Sequence, residues 1–166
     1  MKNELKFDVT LTAKDLWTFS MYHTNSGGKG VINVLCPLAA LFALIVRWGT
    51  MTAGYRVLLV VFILAFTVWQ PLLLYIKAAK QAKNAAVSKL MTLTFAEDGL
   101  KVEQDGQELV FTWEQMGRMD RIKPMIILYM DRVHAYLFPT RILGDKEEAL
   151  CELARTHLQK NQCRHI

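Results

Sequence analysis

The chain has 166 residues, of which 52% are hydrophobic and 21% are charged, and its formal net charge is +5. This length leaves room for one small domain outside the apolar segments and excludes two independent ones. The 3 cysteines form no even set and no CxxC pair, which excludes a disulfide framework and the common zinc patterns.

The N-terminal residues 1–24 predict a strand and a short helix that join a cytoplasmic domain. From Leu5 onward, apolar side chains alternate with polar ones, which indicates a half-buried strand. Thr12 and Asp15 have the spacing of a capping box, so a helix is expected over about 13–23. Its many aromatic residues favour packing on the domain or lying in the membrane interface.

Two apolar segments predict a transmembrane hairpin with helices at 31–48 and 56–76. The uncharged stretches within them, 31–46 and 57–76, approach or reach the roughly 20 residues that span a bilayer about 30 Å thick. The sequence after the second segment is rich in Ala and Lys, both good helix formers. We therefore expect the second helix to continue to about residue 89.

Interfacial residues orient this hairpin. Trp48 and Tyr55 bracket a loop without charges and are expected at the outer membrane interface. Lys77, Lys80 and Lys83 follow the second segment and are expected to reach anionic lipid headgroups. The positive-inside rule then predicts a multi-pass protein with both termini in the cytoplasm.

Two amides and two prolines lie inside the predicted spans. We expect Asn33 and Gln70 to bond to each other or to the backbone carbonyls that Pro37 and Pro71 leave unpaired, and so to hold the helices together. The alternative is an intramembrane site for an ion or a peptide. Two uncharged amides make a poor ion path, so the hairpin is interpreted as an anchor first.

Residues 90–160 predict six strands and a C-terminal helix. Alternating apolar residues mark the strands, and Asp105-Gly106 is a strong hairpin signal. Asp145 and Glu148 predict a capping box for a helix over about 146–160. The tail beyond this helix is expected to be frayed.

Together with the N-terminal strand, these elements have the plan of a pleckstrin-homology-like (PH-like) antiparallel β-barrel or sandwich, closed at one end by its C-terminal helix. The apolar face of the first strand needs a partner, and the later sheet is the one nearby. We therefore predict an α+β membrane protein in which the transmembrane hairpin is inserted between the first and second strands of one domain.

Three short motifs carry a family resemblance: residues 111–116 (FTWEQM), 126–129 (IILY), and 137–141 (LFPTR) with Glu147-Glu148. The sequence resembles the YcxB-like family of bacterial membrane proteins. The resemblance implies a PH-like cytoplasmic domain on a two-span anchor in the bacterial cell membrane. Family members often have isoleucine at the position of Met116 and lysine at that of Thr140, and the second departure removes a positive charge.

The candidate binding surface is a group of basic side chains on the later strands. A solvated face near lipid and the capture of anionic headgroups or an acidic peptide are both open interpretations. The residues are Arg118, Arg121, Lys123, Arg132 and Arg141. The aromatic residues do not interleave with them, which argues against nucleic-acid binding.

No catalytic constellation, cofactor motif or metal-ligand spacing is present, so we do not expect an enzyme. The predicted function is a non-catalytic, membrane-anchored cytoplasmic module that binds an unknown protein partner or lipid. The alternative is an immunity protein that intercepts a membrane-active toxin or bacteriocin. Whether the chain forms homo-oligomers is left open.

Overall fold

The computed structural model describes residues 4–131 and 134–166. The chain divides into two compact units. The β-unit comprises Met1–Leu11 and Asn84–Ile166, and the helical unit comprises Thr12–Lys83. The N-terminal strand therefore belongs with the C-terminal half of the chain, and the helix that follows it belongs to the helical unit.

Two four-stranded sheets form the β-unit. The first is antiparallel in the order β1-β2-β3-β4, with β1 at Leu5–Val9, β2 at Met91–Ala96, β3 at Gly99–Gln104 and β4 at Gln107–Thr112. The second has the order β7-β6-β5-β8, with β5 at Arg118–Ile122, β6 at Met125–Tyr129, β7 at Ala135–Pro139 and β8 at Cys163–Arg164. The β8 strand pairs with β5 in parallel.

All six strands predicted after the spans are present, and the Asp-Gly hairpin signal is confirmed. Asp105 and Gly106 join β3 to β4 with φ angles of 54° and 77°, the positive values that a two-residue hairpin turn requires. Gly99 begins β3 at φ 143°, and a Cβ there would lie 1.9 Å from the carbonyl oxygen of Phe111. Only glycine fits that position without moving the backbone of β4.

The described strands form no closed barrel, so that part of the prediction is wrong. Closure needs continuous hydrogen bonding from β4 to β5, but a 3₁₀ turn at Trp113–Gln115 separates them. The edge of β5 away from β6 is occupied by β8 instead. The tail expected to be frayed supplies this eighth strand, which the alternation pattern cannot signal because it has two residues.

Aromatic side chains from both sheets form the core of the β-unit. The ring of Phe95 lies 5.3 Å from that of Phe138 and 6.0 Å from that of Trp113, and Phe7 contacts both phenylalanines at 6.3 Å. Phe7 reaches this core because β1 pairs in register with β2, opposite Leu93.

Two helices follow the second sheet: α6 at Thr140–Leu143 and α7 at Glu147–His157. Leu150, Cys151 and Ala154 of α7 are fully buried in the core. The predicted capping box is wrong, because Asp145 lies in a 3₁₀ turn and α7 has no side-chain cap. Its first turn is instead held by ion pairs to β5.

The helical unit contains α1 at Ala13–Asn25, α2 at Gly28–Val46, α3 at Ala53–Leu64, a π-helical turn at Ala65–Trp69, and α4 at Gln70–Ala82. The capping box that begins α1 is confirmed: the Thr12 amide donates to Asp15 at 2.9 Å, and the Asp15 amide donates to the Thr12 hydroxyl at 3.3 Å.

The second apolar helix ends at Ala82, so its predicted continuation to about residue 89 is wrong. A separate short helix, α5, follows at Ala85–Ser88. The carbonyl of Asn84 accepts from the amides of Val87 and Ser88, at 2.9 Å each. Asparagine favours such helix starts over helix interiors, which explains the break.

By length and composition, the described residues contain one helix that can cross a membrane, the continuous segment Ala53–Ala82 of 30 residues. Helices α1 and α2 pass the same test only together, as a sharply bent pair. A two-pass hairpin is therefore not established by helix length alone.

Candidate functional site

A cleft of about 340 Å³ opens in the helical unit between α1, α2 and the π-helical turn. Asn33 and Gln70, the two amides singled out in the sequence, both line it, together with Asn25. Its remaining walls are mainly apolar: Met21, Val34, Pro37, Leu38, Leu41, Ile63, Phe66 and Pro71. The structure thus brings the predicted intramembrane polar residues to one site.

Pro71 explains the π-helical turn beside the cleft. A proline inside a helix cannot donate a hydrogen bond, and its ring clashes with the carbonyl four residues earlier. The wider turn relieves this clash, and the Gln70 amide donates five residues back, to Ala65. The Thr67 hydroxyl donates to the Ile63 carbonyl at 2.8 Å. The Trp17 indole of α1 donates to the Pro71 carbonyl at 3.1 Å.

The expected hydrogen bonds of Asn33 and Gln70 to each other, or to the carbonyls that the prolines leave unpaired, are not formed among the described residues. Asn33 instead has a partner that the sequence did not indicate. Its Nδ2 donates to Oδ1 of Asn25, 3.3 Å away at the end of α1. Within the described residues, the side-chain carboxamide of Gln70 has no hydrogen-bond partner. Asn25 is the last residue of α1, and no local sequence pattern predicts that the end of α1 lies beside α2.

The predicted interfacial residues lie at the two ends of the helical unit's apolar helices. Trp48, in the loop between α2 and α3, is 53% exposed, and Tyr55, in the first turn of α3, is 65% exposed. The guanidinium of Arg56 lies over the Trp48 ring at 4.8 Å from its centroid. Lys77, Lys80 and Lys83 are exposed on α4 and at its C-terminal end.

Two of the predicted basic residues form ion pairs within the β-unit. Arg118 Nε lies 2.8 Å from Oδ1 of Asp120, which is fully buried, and its guanidinium covers the Tyr129 ring at 4.5 Å. Arg121 contacts Glu147 at 2.8 Å and Glu148 at 3.1 Å. The two contacts of Arg121 hold β5 against the first turn of α7.

Lys123 and Arg141 lie at one end of the second sheet. Lys123 is exposed in the turn between β5 and β6. The amide of Thr140 donates to the Pro124 carbonyl at 3.0 Å, which brings the start of α6 beside that turn. The Arg141 guanidinium donates to the Thr10 carbonyl at 2.9 Å. Arg132, the remaining basic candidate, lies outside the described residues.

The β4 strand forms an exposed sheet edge. It pairs with β3, and no other described strand pairs with it. Leu109 is 55% exposed and Val110 67%. The one charged side chain of β4, Glu108, contacts Lys101 at 3.0 Å. Three consecutive apolar residues at 109–111 break the strict alternation, so β4 carries apolar side chains on both of its faces.

Cys151 is predicted to be a slowly reacting thiol. Burial raises its pKa, and the folded β-unit therefore holds this proton more tightly than the unfolded chain does. We expect its alkylation by iodoacetamide at pH 8 to be roughly tenfold slower in the folded chain than in urea, because the thiolate is the reactive form.

The same shift makes a small contribution to stability at neutral pH, which is lost as pH rises above the usual thiol pKa of about 8.5.

Mass spectrometry of the peptide that contains Cys151 measures the alkylation rates of the folded chain and of the chain in urea. Equal rates in the folded and unfolded chain would contradict the burial of this thiol.

The described residues contain no cluster of three or more His, Cys, Asp or Glu side chains placed to hold a metal ion.

A family model described as YcxB-like protein matches residues 95–150. The match runs from β2 into α7 and covers the three motifs on which the resemblance depends, so the resemblance is confirmed over this segment. For the helical unit it remains a prediction. No curated protein and no solved structure matches the chain.

Proposed function

We propose that this YcxB-like protein is a non-catalytic binding module anchored in the bacterial cell membrane. In this proposal α2 and the helix from α3 to α4 cross the bilayer, and the β-unit works in the cytoplasm together with both termini. The proposal has two parts, the anchor and the binding surface, and a separate observation supports each.

The pairing of β1 with β2 supports the two-pass anchor most directly. Val9 is paired with Met91 in one antiparallel ladder, so the chain leaves and re-enters the β-unit on the same side of any membrane. The segment between them must cross an even number of times. Since Ala53–Ala82 suffices for one crossing, α2 supplies the second. Its 19 residues span about 28 Å.

The surface of the helical unit fits this arrangement. Phe42 is 69% exposed, Ile45 67% and Leu58 64%. Soluble proteins rarely expose contiguous apolar surface on this scale, whereas acyl chains would cover it. Lys77, Lys80 and Lys83 would place the end of α4 at the cytoplasmic face and add about 1 kcal/mol each near anionic headgroups.

The β4 edge supports the binding part. An edge strand presents unpaired backbone groups, and this one lacks a proline and has a single charge, so little prevents pairing with another strand. We propose that the β4 edge binds an extended apolar segment of a partner protein, which would add a strand to the sheet. The exposed side chains of Leu109 and Val110 project to opposite faces and would set the specificity. Lys123 and Arg141 remain the proposed contacts to anionic headgroups.

Photo-crosslinking in cells tests the binding surface. We expect a benzophenone amino acid at Val110 to give one discrete adduct with another protein, and the same group at Thr156, exposed on α7, to give none. The adduct should persist when residues 31–76 are replaced by an unrelated two-pass hairpin. Absence of a Val110 adduct would refute the edge-binding proposal.

The same hairpin replacement separates the proposal from the immunity alternative. An immunity protein that intercepts a toxin in the bilayer would work through the hairpin. If the replacement abolishes the adduct and the protein's effect on toxin sensitivity together, the working surface lies in the helical unit and the module proposal is wrong.

A further inference from the structure

We infer that the cleft in the helical unit binds a single acyl chain carrying an uncharged, hydrogen-bonding head group, of the monoacylglycerol type. This inference rests on the proposed membrane insertion, because it places the cleft in contact with lipid. It goes beyond anchoring, since it assigns a ligand site to the hairpin.

The amide side chains of the cleft lie at one end of it, and apolar side chains line the other. Asn25 is the last residue of α1, Asn33 lies in the second turn of α2, and Gln70 is the first residue of α4. Farther along α2, Leu38 and Leu41 form an apolar wall, and Leu41 lies eight residues, about 12 Å, beyond Asn33. In the proposed orientation the amides are near the cytoplasmic interface and the apolar wall extends toward the bilayer centre. A lipid in the inner leaflet has the same polarity.

The amides select an uncharged head group. Among the described lining residues none is charged, so a phosphate or carboxylate would lose its hydration without an ion pair. The Gln70 carboxamide has both donors and an acceptor and no partner in the described protein. Glycerol hydroxyls and an ester carbonyl supply the complementary groups, and an amide left unpaired in apolar surroundings is unfavourable.

The size of the cleft favours an acyl chain over a protein helix as its ligand. Its volume of about 340 Å³ lies at the lower end of the range for small-molecule pockets. A helix with its side chains is about 10–12 Å wide, too large to enter such a cleft. The π-helical turn widens the helix wall where Phe66 and Thr67 line the cleft, a geometry common at functional sites.

Photolabelling tests the assignment with the full chain in nanodiscs. The probe is a monoacylglycerol with a diazirine in its acyl chain, and adducts are mapped by peptide mass spectrometry. We expect labelling concentrated in residues 33–41 and 63–71. Leu38→Trp, which fills the cleft, should reduce it roughly tenfold, whereas Val57→Trp, an exposed position outside the cleft, should leave it unchanged.

Competition identifies the head group. Unlabelled monoacylglycerol should reduce the labelling more strongly than the corresponding fatty acid at pH 8, and Gln70→Leu should remove most of that difference. Equal competition by the fatty acid would refute the uncharged-head assignment. Labelling spread evenly along both helices, or reduced equally by Val57→Trp, would show ordinary lipid contact and refute the site.

Alkaline extraction of each variant separates this inference from the proposed function. A chain that stays in the membrane without cleft labelling contradicts the ligand site alone. A wild-type chain that alkali releases contradicts the membrane anchor, and the ligand site with it.

Discussion

Replacing Phe95 with alanine is expected to lower the free energy of unfolding of the β-unit by about 3–5 kcal/mol. The Phe95 side chain is fully buried and its ring contacts those of Phe7, Trp113 and Phe138. These rings come from both sheets and from the turn between them. One neighbouring ring cannot fill the resulting cavity without moving another. The loss in free energy of unfolding should therefore be at the upper end of this range.

Pulse proteolysis of the full chain in detergent, at increasing urea, measures this loss. Val110→Ala is the matched control, because Val110 is 67% exposed, and it should change the unfolding free energy by less than about 0.5 kcal/mol. A Phe95→Ala chain as resistant to protease as the wild type would show that the two sheets do not share this core.

Replacing Val68 with arginine is expected to prevent stable insertion of the second span. Val68 lies near the middle of the predicted span 56–76, within Ala53–Ala82, and is 55% exposed, so in the proposed membrane its side chain faces lipid. An arginine at the centre of a span costs about 2.5–3.5 kcal/mol on insertion scales. We expect the amount of this variant in the alkali-resistant membrane fraction to decrease sharply, and we expect the variant to be degraded in cells.

Thr156→Arg adds the same charge on an exposed face of α7 and should leave the membrane fraction unchanged. Immunoblots of alkaline-extracted membranes compare the two variants. Full retention of the Val68→Arg chain would contradict a lipid-facing second span.

The strands could be predicted from the sequence because their signals are local. Alternation from Leu5 and across the later strands, together with the Asp105-Gly106 turn, depends on neighbours within a few residues. The need to bury the apolar face of the first strand also indicated its partner, and β1 pairs with β2 over five residues in register.

The features that the sequence did not reveal depend on distant contacts. Barrel closure is decided by which edges pair, and β8 occupies the edge of β5 through a parallel contact of two residues. The partner of Asn33 is set by the packing of α1 within the helical unit, which brings Asn25 at its end beside α2. The basic residues could be identified in advance, but the ion pairs of Arg118 and Arg121 could not, since a strand pattern gives no information on what packs across it.

In the proposed arrangement, the membrane segment is inserted between β1 and β2, which pair in one cytoplasmic sheet. Lys6 and Thr94 face each other in the β1–β2 ladder, so cysteines at both positions should form a disulfide when the membrane-permeant oxidant diamide is added. Cys36 and Cys163 are replaced by serine to prevent other pairings. A protease site is inserted after Gly49, in the loop between α2 and α3, and the protease is added to sealed, right-side-out vesicles.

We predict that the protease cuts the loop from outside, that the two halves stay together on a non-reducing gel, and that reduction separates them. A loop protected in sealed vesicles, or halves that separate without reduction, would contradict this arrangement.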